Sequence, residues 1–336
     1  MRLALDARRG INDERLKFGA QLGATDVVAG PGCFINQGDW TASHSAASLS
    51  QAGSYDFVSL MQLKIRIEEA GLNLAAVENV PFEWYDKIVR GQPGRDEQIE
   101  NWKTTLRNMG AAGIPIFGYH FMALGVWRTS FTKPGRGGAQ VTSYDHDAVK
   151  GAPTPEWGPL SDDQMWDNLE YFIKAVIPVA EEAGVKMGLH PDDPPISPIA
   201  GVARIMRSHE ALRRLTEDIY PSPNNGIEFC QGTVSEMTDD IYDGIKYFAE
   251  KNKIWYVHFR NVSGTVPSFD ETFIDEGHVD MHRAMEIYRD AGFDGPMIDD
   301  HVPHIAGDTS EDGWLYRSEA FAMGYYKALI NVAKKG

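Results

Sequence analysis

The chain alternates short apolar runs with longer segments of helical spacing, and this alternation constrains its fold more than any other feature. The predicted strands are Arg2–Asp6, Thr25–Ala29, Asn73–Val77, Ile114–Gly118, Val185–Leu189, Gly226–Phe229, Ile254–Val257 and Pro296–Ile298. The predicted helices are Asp13–Leu22, Val58–Glu69, Asp96–Ala112, Asp162–Ala183, Val202–Leu215, Ser235–Lys251, Asp280–Ala291 and Ser318–Ala333. Eight strand-helix units favour an α/β fold, a single (β/α)8 TIM barrel domain over residues 1–336.

Glycines at the ends of several predicted helices support the count, because a glycine at that point releases the chain into the next strand. They are Gly23, Gly71, Gly113, Gly184 and Gly292. An open, doubly wound sheet would show the same alternation and is the alternative fold. The chain has neither a GxGxxG run after an early strand nor a GxxxxGK[ST] run, which weakens the nucleotide-binding versions of that alternative.

Residues 123–160 interrupt the alternation between the fourth predicted strand and its helix. This segment is rich in Gly, Pro, Ser and Thr and has little periodicity, so we predict one long βα loop. In a barrel, such a loop would lie over the mouth of the active site.

Charge and cysteine content exclude several classes of partner. The formal net charge of -16 and the lack of a Lys/Arg run argue against nucleic acid. No run of eighteen apolar residues predicts a membrane span, and the N-terminus does not resemble a signal peptide. The two cysteines, Cys33 and Cys230, are far apart in sequence, which favours reduced thiols and a cytoplasmic protein.

Polar side chains follow six consecutive predicted strands, at the ends that face the active site in a barrel. They include imidazole, thiol and carboxylate donors: His190, Cys230, His258 and one of the aspartates after the eighth strand. Such a set would suit a closed structural zinc site, or an open site with an octahedral ion such as Mn²⁺ or Fe²⁺. Each residue alone is as easily a buried packing residue. Four such residues at four successive strand ends favour a metal site.

Other polar residues near these ends allow more than one interpretation. Arg260 lies two positions after His258 and could clamp a carboxylate or form a structural salt bridge. Asp192 and Asp193 precede two prolines, so they could bind a ligand or merely shape a turn. Tyr325 lies on the last predicted helix, where an aromatic residue is more often part of the core.

Several runs of the chain, in order, resemble signatures of the mannonate dehydratases. They are AAVENVPF, IENWKTTLRNMGAAGI, YHFMALGVWRTS, LHPDDPP, FCQGT, VHFRNV, FDETFIDEGHVDM, DDHVP and GYYKAL. The resemblance extends from about residue 15 to the C-terminus, and LHPDDPP, HFRN and FIDEGHVDM are its most specific runs. The fold it implies is a xylose-isomerase-like TIM barrel.

The resemblance implies a lyase of hexuronate catabolism, a hydro-lyase that converts D-mannonate to 2-keto-3-deoxy-D-gluconate with Mn²⁺ or Fe²⁺. Carried over by motif, the metal ligands would be His190, Cys230, His258 and Asp300. The proton-transfer groups would be His301 and Tyr325. Apart from the motif transfer, we expect Arg260, Asn261, His120 and Asp192 to bind substrate, with Arg260 at its anionic end. A small sugar acid is the expected partner, and a homo-oligomer is possible.

The chain departs from the family pattern after the fourth strand, where His120 replaces the usual asparagine and Val126 the usual aspartate. Another aldonic acid is therefore an alternative substrate. A metal-dependent sugar isomerase or epimerase is a second alternative, for which Glu78 and Glu228 would supply carboxylate ligands. A third is a barrel that binds a sugar acid without turnover.

Overall fold

Eight parallel strands close into a barrel in the computed structural model, which describes residues 1–35, 53–308 and 314–335. The barrel strands are β1 Arg2–Ala7, β2 Asp26–Ala29, β3 Asn73–Glu78, β4 Ile116–His120, β7 Lys186–His190, β8 Asn225–Cys230, β9 Ile254–His258 and β12 Pro296–Ile298. The order around the barrel is β1-β12-β9-β8-β7-β4-β3-β2, so the first and last strands pair and close it. The predicted (β/α)8 barrel is confirmed.

Helices pack outside these strands. They are α1 Asp13–Leu22, α2 Gly32–Ile35, α3 Phe57–Glu69, α4 Asp86–Arg90, α5 Arg95–Ala111, α6 Asp162–Ala183, α7 His209–Arg213, α8 Gln231–Glu236, α9 Ile241–Glu250, α10 Met281–Asp290 and α11 Tyr316–Ala333. Where the predicted helix ends agree with the structure, capping residues in the sequence explain the agreement. In α6, the Ser161 side chain accepts from the Gln164 backbone and the Gln164 side chain bonds back, while Gly184 ends the helix with φ 68°.

Two predicted helices are wrong in extent. The helix predicted over Val202–Leu215 begins only at His209, because Val202 forms bridges with Leu160 and Ile199 and Ser208 caps the later start. A π-helical turn, Arg214–Ile219, follows it. The helix predicted over Ser235–Lys251 is two helices, α8 and α9, and the Asp240 side chain caps the second.

The segment predicted as one long loop, residues 123–160, is not irregular. It contains two strands, β5 Ser130–Pro134 and β6 Gln140–Asp145, which pair antiparallel. Strand β6 also pairs with β11 Ser268–Glu271, which pairs with β10 Val262–Ser263. We call this four-stranded unit, in the order β10-β11-β6-β5, the accessory sheet. The sequence did not predict these strands, because the sheet joins two connections that are far apart in the chain.

A tightly filled barrel interior lies beneath the site. Tyr256 and Glu228 point into it opposite Gly118 of β4, where an added Cβ would lie 1.9 Å from the Tyr256 hydroxyl. Only glycine therefore fits at position 118 without displacing these two side chains. None of the helices in the described ranges is long and apolar enough to cross a membrane.

Candidate metal centre

Four ligand-type side chains meet at the carboxyl ends of consecutive barrel strands. His190 ends β7, Cys230 ends β8, His258 ends β9 and Asp300 follows β12. One donor atom from each lies within 4.8 Å of the donors of the other three. Parallel register explains the convergence, because Cys230 is paired with His258, and His258 with the last residue of β12. The structure thus brings together the whole set that the sequence nominated.

Two arginines hold the Asp300 carboxylate in place. Arg8 donates from Nη2 to Oδ1 at 2.6 Å, and Arg260 donates from Nε to Oδ2 at 2.9 Å. Oδ2 lies 3.4 Å from Nδ1 of His258 and 3.8 Å from Sγ of Cys230. Burial opposes ionisation of Asp300, but the charges of His301, His258 and Arg8 outweigh it and hold the pKa well below its usual range.

Positive side chains next to the cluster stabilise the ionised forms of its thiol and carboxylate. Burial opposes ionisation of Cys230, yet Arg260 and His190 outweigh it and bring the pKa of the thiol well below its ordinary value. Burial alone would lower the pKa of His190, but the Cys230 and Glu228 charges raise it to about 9. The cluster therefore favours a thiolate beside a group that retains positive charge.

These donors fit a divalent cation. The His258 Nδ1 atom is buried and makes no hydrogen bond to the described residues, although it faces Cys230 and Asp300 across the cluster. A buried nitrogen without a partner is costly unless a ligand satisfies it. Two imidazoles, a thiolate and a carboxylate are donors that first-row divalent ions accept, and a dication would replace the positive charge that His190 otherwise retains.

A second layer of acidic groups fixes the other nitrogen of His258. Nε2 lies 3.1 Å from Oε2 of Glu78 and 3.0 Å from Oε1 of Glu228. The Tyr256 hydroxyl donates to Glu78 at 3.1 Å. A proton on Nε2 would point at these carboxylates and leave the Nδ1 lone pair for the cluster, as in many metal sites.

The two carboxylates of this layer differ in charge. Burial and the neighbouring Glu78 charge raise the pKa of Glu228 to about 7. Burial opposes ionisation of Glu78 too, but Arg8 and His258 outweigh it and lower its pKa to about 2. Glu78 is therefore ionised at neutral pH, whereas Glu228 titrates near neutral pH.

Arg260 is buried beside the cluster, but its donors are already committed. Besides Asp300, its Nη2 donates to Asp193 at 2.8 Å and to Thr233 at 2.9 Å. Its Nη1 donates to Glu236 at 3.2 Å and to Glu271 at 3.1 Å. An arginine with every donor engaged in buried pairs holds neighbouring carboxylates in position. Of the two interpretations left open by the sequence, these contacts favour the structural salt bridge.

Two other residues nominated for substrate binding have internal partners. The Asn261 amide donates to the Val279 carbonyl at 2.9 Å, and its oxygen accepts from the Val262 and Val279 backbones. Asp192 is buried and accepts from the Met206 backbone at 2.7 Å. Burial raises the pKa of Asp192 despite the nearby Arg204. Both residues shape the loops of the rim, and a substrate role for them stays a prediction.

His301 and His120 lie closer to open space. Nδ1 of His301 lies 2.6 Å from Oε1 of Glu271, and the His301 side chain is 31% exposed. It lines a cleft of about 320 Å³ together with Asp300, Glu271, Val126 and other residues of the rim. His120 is half-buried, and its Nε2 lies 2.9 Å from the Tyr85 hydroxyl. Burial and the His190 charge lower the pKa of His120 to about 3, so it is neutral.

Tyr325 is placed elsewhere. It is half-buried on α11, packs against the core, and is not among the residues that line the cleft. Burial and the charges of Asp275 and Asp280 raise its pKa. Across the described residues, no hydrogen bond or ring contact joins it to the four-residue cluster or to His301. Its proposed part in proton transfer stays a prediction without a contact to support it.

Comparison with known proteins places the chain in a family. The family model described as D-mannonate dehydratase (UxuA) matches residues 43–157 and 155–336. The chain belongs to the D-mannonate dehydratase family. It is 35% identical over 300 residues to a mannonate dehydratase from Streptococcus pneumoniae (strain 70585), with 81% of each protein covered.

Solved structures agree with this family membership. A mannonate dehydratase from Streptococcus suis serotype 2 matches with a TM-score of 0.85 and 30% identity, over 100% of this chain and 94% of that one. A D-psicose 3-epimerase from Clostridium cellulolyticum H10 matches with a TM-score of 0.61 and 12% identity, over 100% and 99%. The second likeness shows a shared barrel fold alone.

Several charged residues of this member of the family were not singled out from its sequence. Arg8 follows β1, Arg128 precedes β5, Glu271 ends β11, and Glu236 contacts Arg260. Asp193, for which the sequence left a ligand role and a turn role open, completes the set around Arg260. The runs WRTS and FDETF contain Arg128 and Glu271 and were part of the resemblance. In both runs a charged residue lies near aromatic residues in a connection, and this pattern could have indicated a buried charge.

Proposed function

We propose that the chain is a metal-dependent hydro-lyase that converts D-mannonate to 2-keto-3-deoxy-D-gluconate and water. One observation carries the proposal: two imidazoles, a thiol and a carboxylate converge beside a cleft lined by His301. Membership of the D-mannonate dehydratase family supplies the substrate and the reaction.

The four converging side chains, His190, Cys230, His258 and Asp300, would hold a divalent ion, for which we propose Mn²⁺ or Fe²⁺ because both accept mixed nitrogen, sulfur and oxygen donors. When bound, such an ion supplies positive charge for the substrate carboxylate and for the charge that develops as the C2 proton leaves. Arg8 and Arg260 keep Asp300 ionised and oriented for this task.

The reaction breaks the C2–H bond and the C3–O bond of the sugar acid. The C2 proton must pass to a base, and the C3 hydroxyl must take up a proton to leave as water. We assign one of these two transfers to His301, because it lines the cleft directly beside Asp300 and its side chain is partly exposed. A positioned general acid or base contributes about 10² to 10⁴-fold to the rate.

A related aldonic acid is the second candidate substrate, and two positions favour testing it. Val126, which stands where the family has aspartate, lines the cleft and is 47% exposed. His120, which replaces the family's asparagine, is neutral and contacts the Tyr85 hydroxyl. An apolar side chain and a neutral imidazole would contact sugar hydroxyls differently from a carboxylate and an amide.

Turnover of D-mannonate by metal-stripped protein, reloaded anaerobically with Mn²⁺, tests the proposal. We expect formation of the 2-keto-3-deoxy acid, and we expect Cys230→Ala to abolish both tight Mn²⁺ binding and turnover. Cys33→Ala is the matched control, because Cys33 is also a buried cysteine but lies outside the four-residue cluster. Its activity should stay within about twofold of wild type, as for a change that removes no group of the site.

A panel of other aldonic acids and of ketoses distinguishes the alternatives. Dehydration of another aldonic acid with no activity on D-mannonate would change the proposed substrate and leave the proposed reaction, a dehydration, unchanged. Interconversion of ketoses without dehydration would overturn the proposed reaction in favour of a sugar epimerase. Binding of sugar acids without any turnover would leave a binding protein.

A further inference from the structure

We propose that Glu271 of the accessory sheet is the positioning residue for His301. It holds the imidazole in the tautomer with its proton on Nδ1, which turns the lone pair of Nε2 toward the cleft. The inference rests on the proposed function in so far as His301 transfers a proton there. It assigns the sheet, and not the barrel, the task of orienting that group.

The tautomer follows from the chemistry of the contact. Nδ1 of His301 lies 2.6 Å from Oε1 of Glu271. An ionised carboxylate only accepts hydrogen bonds, so Nδ1 must donate. A neutral imidazole has one protonated nitrogen, and Nε2 is then the unprotonated one. Nε2 lies 3.7 Å from Oδ1 of Asp300, beyond hydrogen-bond distance.

Glu271 is ionised and held by two arginines. Its Oε1 accepts from Nε of Arg128 at 3.1 Å, from Nη2 of the same residue, and from Nη1 of Arg260 at 3.1 Å. Its side chain is almost fully buried. Burial opposes its ionisation, but His301, Arg128 and Arg260 outweigh burial and hold the pKa well below its usual range.

The accessory sheet sets the relative position of the two residues. Glu271 ends β11, which is fixed between β10 and β6. The first residue of β6, Gln140, exchanges backbone hydrogen bonds with His304 at 2.9 and 2.8 Å. His304 lies three residues after His301, so the sheet also holds the segment that carries the imidazole.

A purely structural role for Glu271 accounts less well for these contacts. Without Glu271, Arg128 would still have two hydrogen bonds to Asp193, at 2.5 and 2.8 Å. Arg260 would still bond to Asp193, Glu236 and Asp300. Among the described residues, Glu271 is the only hydrogen-bond partner of the His301 ring. His301 would therefore lose the most.

Nitrogen NMR of ¹⁵N-histidine-labelled protein, loaded with diamagnetic Zn²⁺ and held at alkaline pH, tests the tautomer directly. The His301 signals are assigned as those missing from His301→Gln. We expect a protonated Nδ1 in the wild type and in Glu271→Gln, whose amide oxygen still accepts. In Glu271→Leu we expect the His301 ring to lose its preference for the proton on Nδ1. A protonated Nε2 in the wild type would overturn the proposal, and so would an unchanged His301 pattern in Glu271→Leu.

Kinetics on the natural reaction give the second readout. For Glu271→Leu we expect kcat to fall about 10- to 100-fold, with KM and bound metal close to wild type, and Glu271→Gln to recover most of the loss. Asp270→Asn is the control, since Asp270 is the adjacent residue of β11 and pairs with the exposed Lys133. An equal loss in the control would mean damage to the sheet and would overturn the proposal. If the wild type dehydrates no sugar acid, the proposed function fails, and the NMR result still decides the role of Glu271.

Discussion

The rim of the barrel and the accessory sheet build the site by different means. The rim residues follow neighbouring parallel strands, so main-chain register alone brings Cys230 beside His258. The accessory sheet instead joins two distant connections, and the contact between Arg128, just before β5, and Glu271 of β11 spans 143 positions of sequence. Ligand convergence is thus a property of the barrel repeat, whereas the orientation of the groups around it depends on one specific long-range pairing.

Arg260 connects these two regions. It follows β9 of the rim, bonds to Asp300 and Asp193 on the rim side, and reaches Glu271 on the sheet side. Arg260 is therefore the one guanidinium, among the described residues, that pairs with Asp300, Asp193 and Glu271 together. We therefore expect the loss of Arg260 to destabilise the protein more than any change confined to the rim or to the accessory sheet.

Arg260→Met should have the largest effect on stability. It leaves the buried carboxylates of Asp193, Glu271 and Asp300 without one of their charge partners and the Glu236 carboxyl without a hydrogen-bond donor, and removing one partner of a buried pair costs about 3 to 5 kcal/mol in the free energy of unfolding. Urea unfolding measures this loss. Arg136→Met is the matched control, because Arg136 forms an exposed pair with Asp275, worth about 0 to 1 kcal/mol. Equal losses in the two variants would refute the connecting role of Arg260.

Glu78→Gln should weaken metal binding although it replaces none of the four proposed metal ligands. Glu78 is the ionised acid against Nε2 of His258, and loss of such a partner typically reduces metal affinity about 10- to 100-fold. A competition titration of Mn²⁺ against a chelating dye measures the change.

Glu236→Gln is the control for Glu78→Gln. Burial and the Asp193 charge raise the pKa of Glu236 well above its usual range, which favours the neutral acid, and glutamine resembles that form in shape and charge. Its metal affinity should therefore stay near wild type. If both variants lost affinity alike, the charge of Glu78 would not be the cause.

The sequence was informative where local pattern determines position. Alternation and terminal glycines located the strands, and the residue after each strand became a rim residue, as with His190 and His258. The same reasoning could not show that Arg260 is enclosed by carboxylates. Three of its partners, Asp193, Glu236 and Glu271, come from separate connections whose paths depend on tertiary contacts.

The two segments that the sequence analysis misjudged also depend on contacts between distant parts of the chain. Residues 123–160 lack the periodicity of a self-contained hairpin because β6 is completed by β11, and not by its neighbour β5 alone. The helix predicted from Val202 is shortened by a bridge to Leu160, which lies in that same long connection. Local propensity is overridden in both places by a partner that is distant in sequence.

His120→Asn should make the protein less sensitive to acid. The pKa of His120 is lowered from 6.5 to about 3 in the folded protein. As pH falls below 6.5, the unfolded chain binds a proton at this residue that the folded protein does not bind until pH is near 3, so the wild type loses stability over that window. By pH 5 we expect the variant to have lost about 1 kcal/mol less than wild type, allowing for partial exposure of the ring. Urea unfolding at pH 7 and pH 5 measures the difference, and parallel losses would show that His120 is protonated in the folded state.

Tyr325→Phe should have the smallest effect, and it tests whether the two regions contain all the groups of the reaction. Tyr325 belongs to neither region, since it packs on α11 near Asp275 and Asp280. We expect kcat on D-mannonate to stay within about twofold of wild type, because loss of a true proton-transfer group costs about 10² to 10⁴-fold. His301→Gln, assayed alongside, provides that larger loss as the reference. A fall in Tyr325→Phe comparable to that of His301→Gln would mean that α11 moves its tyrosine to the cleft when substrate binds, and the rim and sheet would then hold only part of the catalytic groups.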